Sequence, residues 1–295
     1  MTAAELARFV RQIEIKTRGL SSQVFSGEYH AAFRGRGMSF AEVRDYQPGD
    51  DVRDIDWNVT ARTGEPHVKV FEEERELSVL LVVDLTASMA FGTRAQSKRR
   101  LATELAAVLG TSALQNNDKV GAVLYGAAGE ARPFYVPPKK GFQHVLRIVR
   151  ELGHAGGPAG EAALGEALRF VNNVTRRRAI VFVVSDFLAQ GDYATPLRVS
   201  ARRHDLVGLR LADRFEAELP SVGLLSATDL ETGRRALVDT SDAATRARHS
   251  AYHAAEREAA EEHFRRAGAQ LLELTTGEDY VGPLLAFFKA RHRRR

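Results

Sequence analysis

Residues 77–91 read L-S-V-L-L-V-V-D-L-T-A-S-M-A-F, and the rest of the chain is organised around them. The first half is a run of aliphatic and β-branched side chains without polar alternation. Such a run suits a parallel strand covered on both faces, and therefore a central one. Asp84, Thr86 and Ser88 follow at every second position, where the chain leaves that strand. In open α/β sheets, ligands collect outside the carboxyl ends of strands. A carboxylate with two hydroxyls offers hard oxygen donors and leaves positions for water or a partner group, so the ion expected there is Mg²⁺ or Mn²⁺. A further carboxylate should come from a neighbouring strand end, and the apolar run 179–184 followed by Ser185 and Asp186 supplies it. The candidate metal ligands are thus Asp84, Thr86, Ser88 and Asp186.

Composition bounds what such a strand can belong to. With 44% hydrophobic and 27% charged residues the chain has the make-up of a folded soluble protein. Its 295 residues allow one large domain or two smaller ones, because single cores stop growing at roughly 250–300 residues. The absence of cysteine excludes disulfides and thiolate metal sites and fits a reducing compartment. No apolar run approaches the ~20 residues of a membrane span, and residues 1–10 lack a basic flank followed by a secretory core. The expected location is the cytoplasm. The net charge of +4 is small, and much of it lies in the terminal R-H-R-R-R, which reads as a solvated tail. No basic stripe interleaved with aromatics exists elsewhere, so nucleic acid is not an expected partner.

Taken in order, Leu6, Val10 and Ile13 fall at helical spacing. Residues 33–76 then change texture: Pro48-Gly49 signals a turn, and Val68 and Val70 alternate with polar neighbours as on a half-exposed strand. The expected division is 1–76, a leading helix and small β-rich module, and 77–295, the main domain. In the latter, a helix over 96–114 is followed by strands over 120–125 and 131–136. Apolar stripes at Phe142, Val145, Leu146, Val149 and at Leu164, Ala167, Leu168, Val171 mark two further helices. A strand ending at Asp186, a helix over 193–203 and a strand over 206–211 come next. A hairpin near 222–240 is expected on the far part of the sheet. A surface helix over 243–267, a short strand over 271–274 and a helix buried through Val281, Leu284, Leu285 and Phe288 complete an α/β order.

Two motifs resemble known families. D-x-T-x-S at Asp84, Thr86 and Ser88 resembles the metal-ion-dependent adhesion motif of von Willebrand factor A-like domains, with Asp186 in the place of its late aspartate. Gly35-x-Gly37, Phe40, Arg44-x-Tyr46, Gly49-Asp50, Arg53-x-Ile55-Asp56-Trp57 and Ala61-Arg62 resemble the signature of bacterial family fifty-eight of the domains of unknown function. That resemblance implies a von Willebrand factor A-like, doubly wound, mostly parallel sheet with an N-terminal β-rich module. It also implies partnership with a MoxR-type AAA+ ATPase in assembling or activating client complexes, and an adhesion-type site that a partner's acidic side chain completes. One departure concerns the metal: Ala162 stands where the adhesion motif carries a threonine ligand, and it cannot coordinate anything.

Bottom-up, Arg44, Asp50, Arg53 and Trp57 admit two roles. They form either a docking surface, since tryptophan and arginine dominate binding hot spots, or a salt-bridged brace with Trp57 as its core. The overall expectation is a non-enzymatic adaptor. One alternative is a metal-dependent phosphatase of haloacid-dehalogenase type, with Asp84 as nucleophile and Ser185 holding phosphate. Thr86 then stands where a second carboxylate is wanted as acid and base, and no phosphate-neutralising lysine stands out. The other is a purely structural role for Asp84, Thr86 and Ser88 as caps of backbone groups. The glycine-rich run 153–160 lacks the lysine of a phosphate loop. His249 and His253 have zinc-compatible spacing without the H-E-x-x-H glutamate.

Overall fold

The computed structural model describes residues 22–33, 38–73, 77–93, 96–127, 132–154, 164–188, 191–230 and 233–293. The leading stripe through Ile13, Gly35, Gly37, Ala162 and most of the glycine-rich run lie outside the described residues. The chain divides into two compact units, Arg34–Leu77 and a larger one made of Met1–Phe33 with Ser78–Arg295.

Helix α1 (Ser22–Phe33) belongs to the larger unit. The smaller unit pairs β1 (Met38–Asp45) with β2 (His67–Glu73) in antiparallel register, interrupted by one irregularity between Phe40 and Glu42. Between them lie a 3-10 turn, Val52–Asp54, and helix α2 (Trp57–Thr63). Asp56 starts α2 by accepting from the N–H groups of Asn58 and Val59, and Gly64 ends it in the left-handed region that favours glycine.

The larger unit continues with β3 (Ser78–Asp84), α3 (Lys98–Gln115), β4 (Lys119–Tyr125), β5 (Phe134–Lys139), α4 (Phe142–His154) and α5 (Leu164–Val174). Then come β6 (Ile180–Ser185), α6 (Ala194–Arg203), β7 (Asp205–Ala212), the single turn α7 (Arg214–Ala217), β8 (Leu224–Thr228) and β9 (Arg235–Asp239). The long α8 (Ala243–Ala267), β10 (Gln270–Thr275) and α9 (Val281–Arg293) close the chain. Six strands form one sheet in the order β10-β7-β6-β3-β4-β5, parallel except for β5. This is a doubly wound, mostly parallel α/β sheet with β3 inside it. From β3 the chain passes first to β4 on one side and later to β6 on the other. The crevice where winding reverses, the usual ligand position in such sheets, therefore lies between the carboxyl ends of β3 and β6.

Val79, Leu80, Leu81, Val82 and Val83 are wholly buried, and each contributes about 1.5–3 kcal/mol relative to exposure. Alternation then sorts the two faces. Leu80, Val82, Val181 and Val183 pack with Leu164, Ala167, Leu168 and Val171 of α5 and with Phe264 of α8. Phe182 points the other way, where Phe33 of α1 meets it at 5.4 Å and Phe288 of α9 meets Phe33 at 5.5 Å.

Two elements differ from expectation. β5 lies three residues further along and contains Pro137 and Pro138, which an antiparallel edge strand tolerates because one side needs no donor. The hairpin β8–β9 is a sheet of its own, not an extension of the main one; β10 already occupies the edge beside β7. Among the described residues, no helix is long and apolar enough to cross a membrane.

Candidate functional site

β3 and β6 are neighbours, with Val83 opposite Val184, so Asp84 and Ser185 leave the sheet side by side. Ser185 Oγ donates to Asp84 Oδ2 at 2.6 Å and accepts from the Phe187 N–H at 2.9 Å. The Thr86 N–H donates to Asp84 Oδ1 at 2.9 Å, the side-chain turn that aspartate favours at strand exits. Thr86 Oγ1 and Ser88 Oγ are 3.0 Å apart. Asp84, Thr86 and Ser88 therefore converge as the spacing predicts.

Two backbone features hold this arrangement. Gly126, at φ +75° just after β4, lies so close that a Cβ there would fall 2.5 Å from Thr86 Cγ2. Phe187 adopts φ +57°, a conformation that costs a bulky L-residue on the order of 1–3 kcal/mol. Its ring is fixed against Phe264 at 5.2 Å, and the strained turn presents Asp186.

Asp186 meets a cation from the chain itself. Lys98 opens α3 behind the N-cap Ser97, and its side chain is wholly buried. Lys98 Nζ donates to Asp186 Oδ2 at 2.6 Å and to Glu216 Oε1 at 2.5 Å. The other Asp186 oxygen, Oδ1, accepts from the Leu188 N–H at 3.1 Å. Glu216 is positioned by Asp213, which caps α7 through the Phe215 N–H at 3.0 Å and accepts from Thr93 Oγ1 at 2.6 Å and Thr276 Oγ1 at 2.5 Å. Arg99 donates to the carbonyls of Leu85 at 3.0 Å and Thr86 at 3.3 Å.

Burial and the neighbouring Asp186 charge push the Asp84 pKa up to about 6, against the hydrogen bonds from Ser185 and Thr86. Burial alone would lower Lys98, but Asp186 and Glu216 outweigh it, and its pKa stands above the ordinary lysine value. At Glu216 burial wins over Lys98, and the carboxyl is raised. The Tyr125 phenol is raised by burial first and then by the Asp84 charge. On α8, His249 Nε2 lies 2.6 Å from the Glu216 carbonyl and its ring 4.5 Å from that of His253. Among the described residues, no group of three or more His, Asp or Glu is arranged to hold a metal.

The predicted metal ligands are thus brought to one crevice, yet their carboxylates are committed. Both Asp84 oxygens accept protein hydrogen bonds, and Asp186 is bound by Lys98. As folded, the four residues do not fit a resident divalent ion that uses Asp186 as a ligand. Lys98, Glu216 and Tyr125 carried no motif that would have placed them here. Lys98 sits in K-R-R at a helix start, where charge runs are usually solvated.

In the smaller unit the predicted partner-binding residues separate. Arg44 and Asp50 form a two-pronged pair, with both contacts at 2.7 Å, and that hydrogen bond holds the Asp50 pKa down at about 2. Arg53 is 91% exposed, with Asp51 as its partner at 3.8 Å. Trp57 is 66% exposed and is not the core that a brace requires; Val68 is the buried apolar residue of this unit among the described ones.

Sheet and crevice together define a doubly wound α/β protein with a carboxylate, hydroxyl and lysine cluster at its switch point. The chain belongs to the family described as Protein of unknown function DUF58, whose profile matches residues 42–259. It is 35% identical to the uncharacterized protein Rv1480 of Mycobacterium tuberculosis over 295 residues, 98% of this chain and 90% of that one. The uncharacterized protein YeaD of Bacillus subtilis is 30% identical over 150 residues, 51% of this chain and 35% of that one. Among solved structures, the conserved hypothetical protein BatB from Bacteroides thetaiotaomicron aligns with a TM-score of 0.48 at 14% identity, covering 74% of this chain and 100% of that chain.

Proposed function

We propose that this chain is a non-enzymatic, cytoplasmic, protein-binding adaptor of von Willebrand factor A-like type that works with a MoxR-type AAA+ ATPase on client complexes. The observation that carries the reading is the exposure of Trp57 close in sequence to the exposed Arg53, in a unit where Arg44 pairs with Asp50 and Lys69 with Asp56. A lone tryptophan held 66% in solvent forgoes the burial its ring favours, and tryptophan and arginine are among the residues enriched at binding hot spots.

The crevice supports the non-enzymatic part. Asp84 is wholly buried, and the Ser185 hydroxyl is used in both directions inside the protein. A phosphatase nucleophile needs access, and its phosphate-holding hydroxyl needs a free bond. In this reading Lys98 takes the charge-neutralising place at Asp186, so the crevice is complete without Mg²⁺ or Mn²⁺. A second reading has a divalent ion on Asp84, Thr86 and Ser88, completed by an acidic side chain of the partner. It is favoured by the 3.0 Å approach of the two hydroxyls.

Co-purification with the MoxR-type ATPase tests the adaptor role. Arg53→Glu and Trp57→Ala should abolish capture with the melting temperature unchanged. Undiminished capture by both variants sinks the proposal.

A further inference from the structure

The opposite end of the same sheet holds donors that the fold leaves unused. β6, β7 and β10 begin there, and each is entered through arginines: Arg176, Arg177 and Arg178, then Arg202 and Arg203, then Arg265 and Arg266. Cations at helix carboxyl ends complement the carbonyls exposed there, and that role or an ion pair accounts for several of them. Arg203 donates to the Asn172 carbonyl at 2.6 Å. Arg265 and Arg266 pair with Glu262, and Arg291 with Asp205 and Gln270. Arg178 has no hydrogen bond or ion pair among the described residues.

A cavity of about 290 Å³ opens beside it, lined by Arg178, His204, Asp205, Gln270 and Arg291. His204 is 2% exposed, and neither of its ring nitrogens has a hydrogen-bond partner among the described residues. Buried imidazoles are normally paired, because both nitrogens give up water on burial. Burial first, then the charges of Arg203 and Arg178, holds its pKa down to about 4. The neutral ring has one N–H to donate. Among the described residues of the wall Asp205 is the one carboxylate, and Arg291 pairs with it, so Arg178 leaves this lining positive.

We infer that this cavity binds a small oxyanion of the phosphate class, held by the Arg178 guanidinium, with the buried His204 ring in its wall and Arg291 offsetting Asp205. The volume lies at the low end for ligand sites, which suits a phosphate-sized group and not a whole nucleotide. Guanidinium forks match tetrahedral oxyanions in two-pronged geometry, so Arg178 is the residue that should set affinity.

Inorganic phosphate, titrated into the full-length protein at constant ionic strength, tests this through the imidazole NMR signals. The signal lost in His204→Gln identifies the ring. Its shift should saturate with phosphate, and Arg178→Ala should weaken binding by about tenfold or more while the melting temperature without phosphate stays the same. A shift that never saturates, or equal affinity in Arg178→Ala, overturns the inference. Saturation by acetate at the same concentration overturns the assignment to phosphate.

Discussion

The two ends of the central sheet treat buried polar groups in opposite ways. At the carboxyl end, Asp84, Ser185, Asp186, Lys98 and Glu216 answer one another within a few ångströms and with little solvent. At the amino end, His204 is as deeply buried, but its ring nitrogens have no hydrogen-bond partner among the described residues. The end that the fold rule and the motif single out is closed on itself, whereas the end without a motif keeps donors in reserve.

Removing a partner from the closed end should have the largest consequence. Lys98→Ala leaves Asp186 and Glu216 buried without their cation and should destabilise the protein by about 3–5 kcal/mol in urea denaturation. Adding Asp186→Asn and Glu216→Gln should recover much of that loss, since those carboxylates are what the lysine compensates. If Lys98→Ala melts like wild type, the crevice is not the dry, paired cluster described. At the other end Arg178→Ala should stay within ~0.5 kcal/mol, as an exposed side chain with no partner does.

Asp84 makes the closed end sensitive to pH. Its pKa rises from 3.8 in the unfolded chain to about 6 when folded, so ionising it opposes folding. That penalty is absent below pH 4, grows between pH 4 and 6, and is fully present above pH 6. At ~1.4 kcal/mol per unit it amounts to roughly 3 kcal/mol. The stability of Asp84→Asn relative to wild type should therefore improve as pH rises through that window and level off above it. A difference that stays flat from pH 4 to 7 contradicts the buried, repelled carboxylate. An effect as small as that of Arg178→Ala belongs to the smaller unit: Arg53→Glu and Trp57→Ala should unfold within ~0.5 kcal/mol of wild type, so that any loss of partner capture is a loss of contact.

Much of this architecture was legible in the chain because it follows from local pattern. The apolar run before Asp84 could only be a covered strand, and every apolar residue of the stripe at Leu164, Ala167, Leu168 and Val171 is fully buried. Asp84, Thr86 and Ser88 were legible for the same reason, since their convergence depends on spacing within one turn. What spacing cannot express is which distant residue answers Asp186. Lys98 lies 88 positions away and Glu216 lies 118 positions from Lys98; only the packing of α3 and α7 over the crevice joins them. Trp57 was ambiguous in the sequence. A lone tryptophan among charges suggests a core, but it opens α2, a helix of the small unit that has no buried residue.

Titrating wild-type protein with Mn²⁺ and measuring free ion by electron paramagnetic resonance decides whether Lys98 makes the crevice complete without a metal. With Lys98 in place the free-ion signal should rise in step with added Mn²⁺, with no stoichiometric uptake. One-to-one uptake that disappears in Asp84→Asn would contradict it and restore a resident metal on Asp84, Thr86 and Ser88.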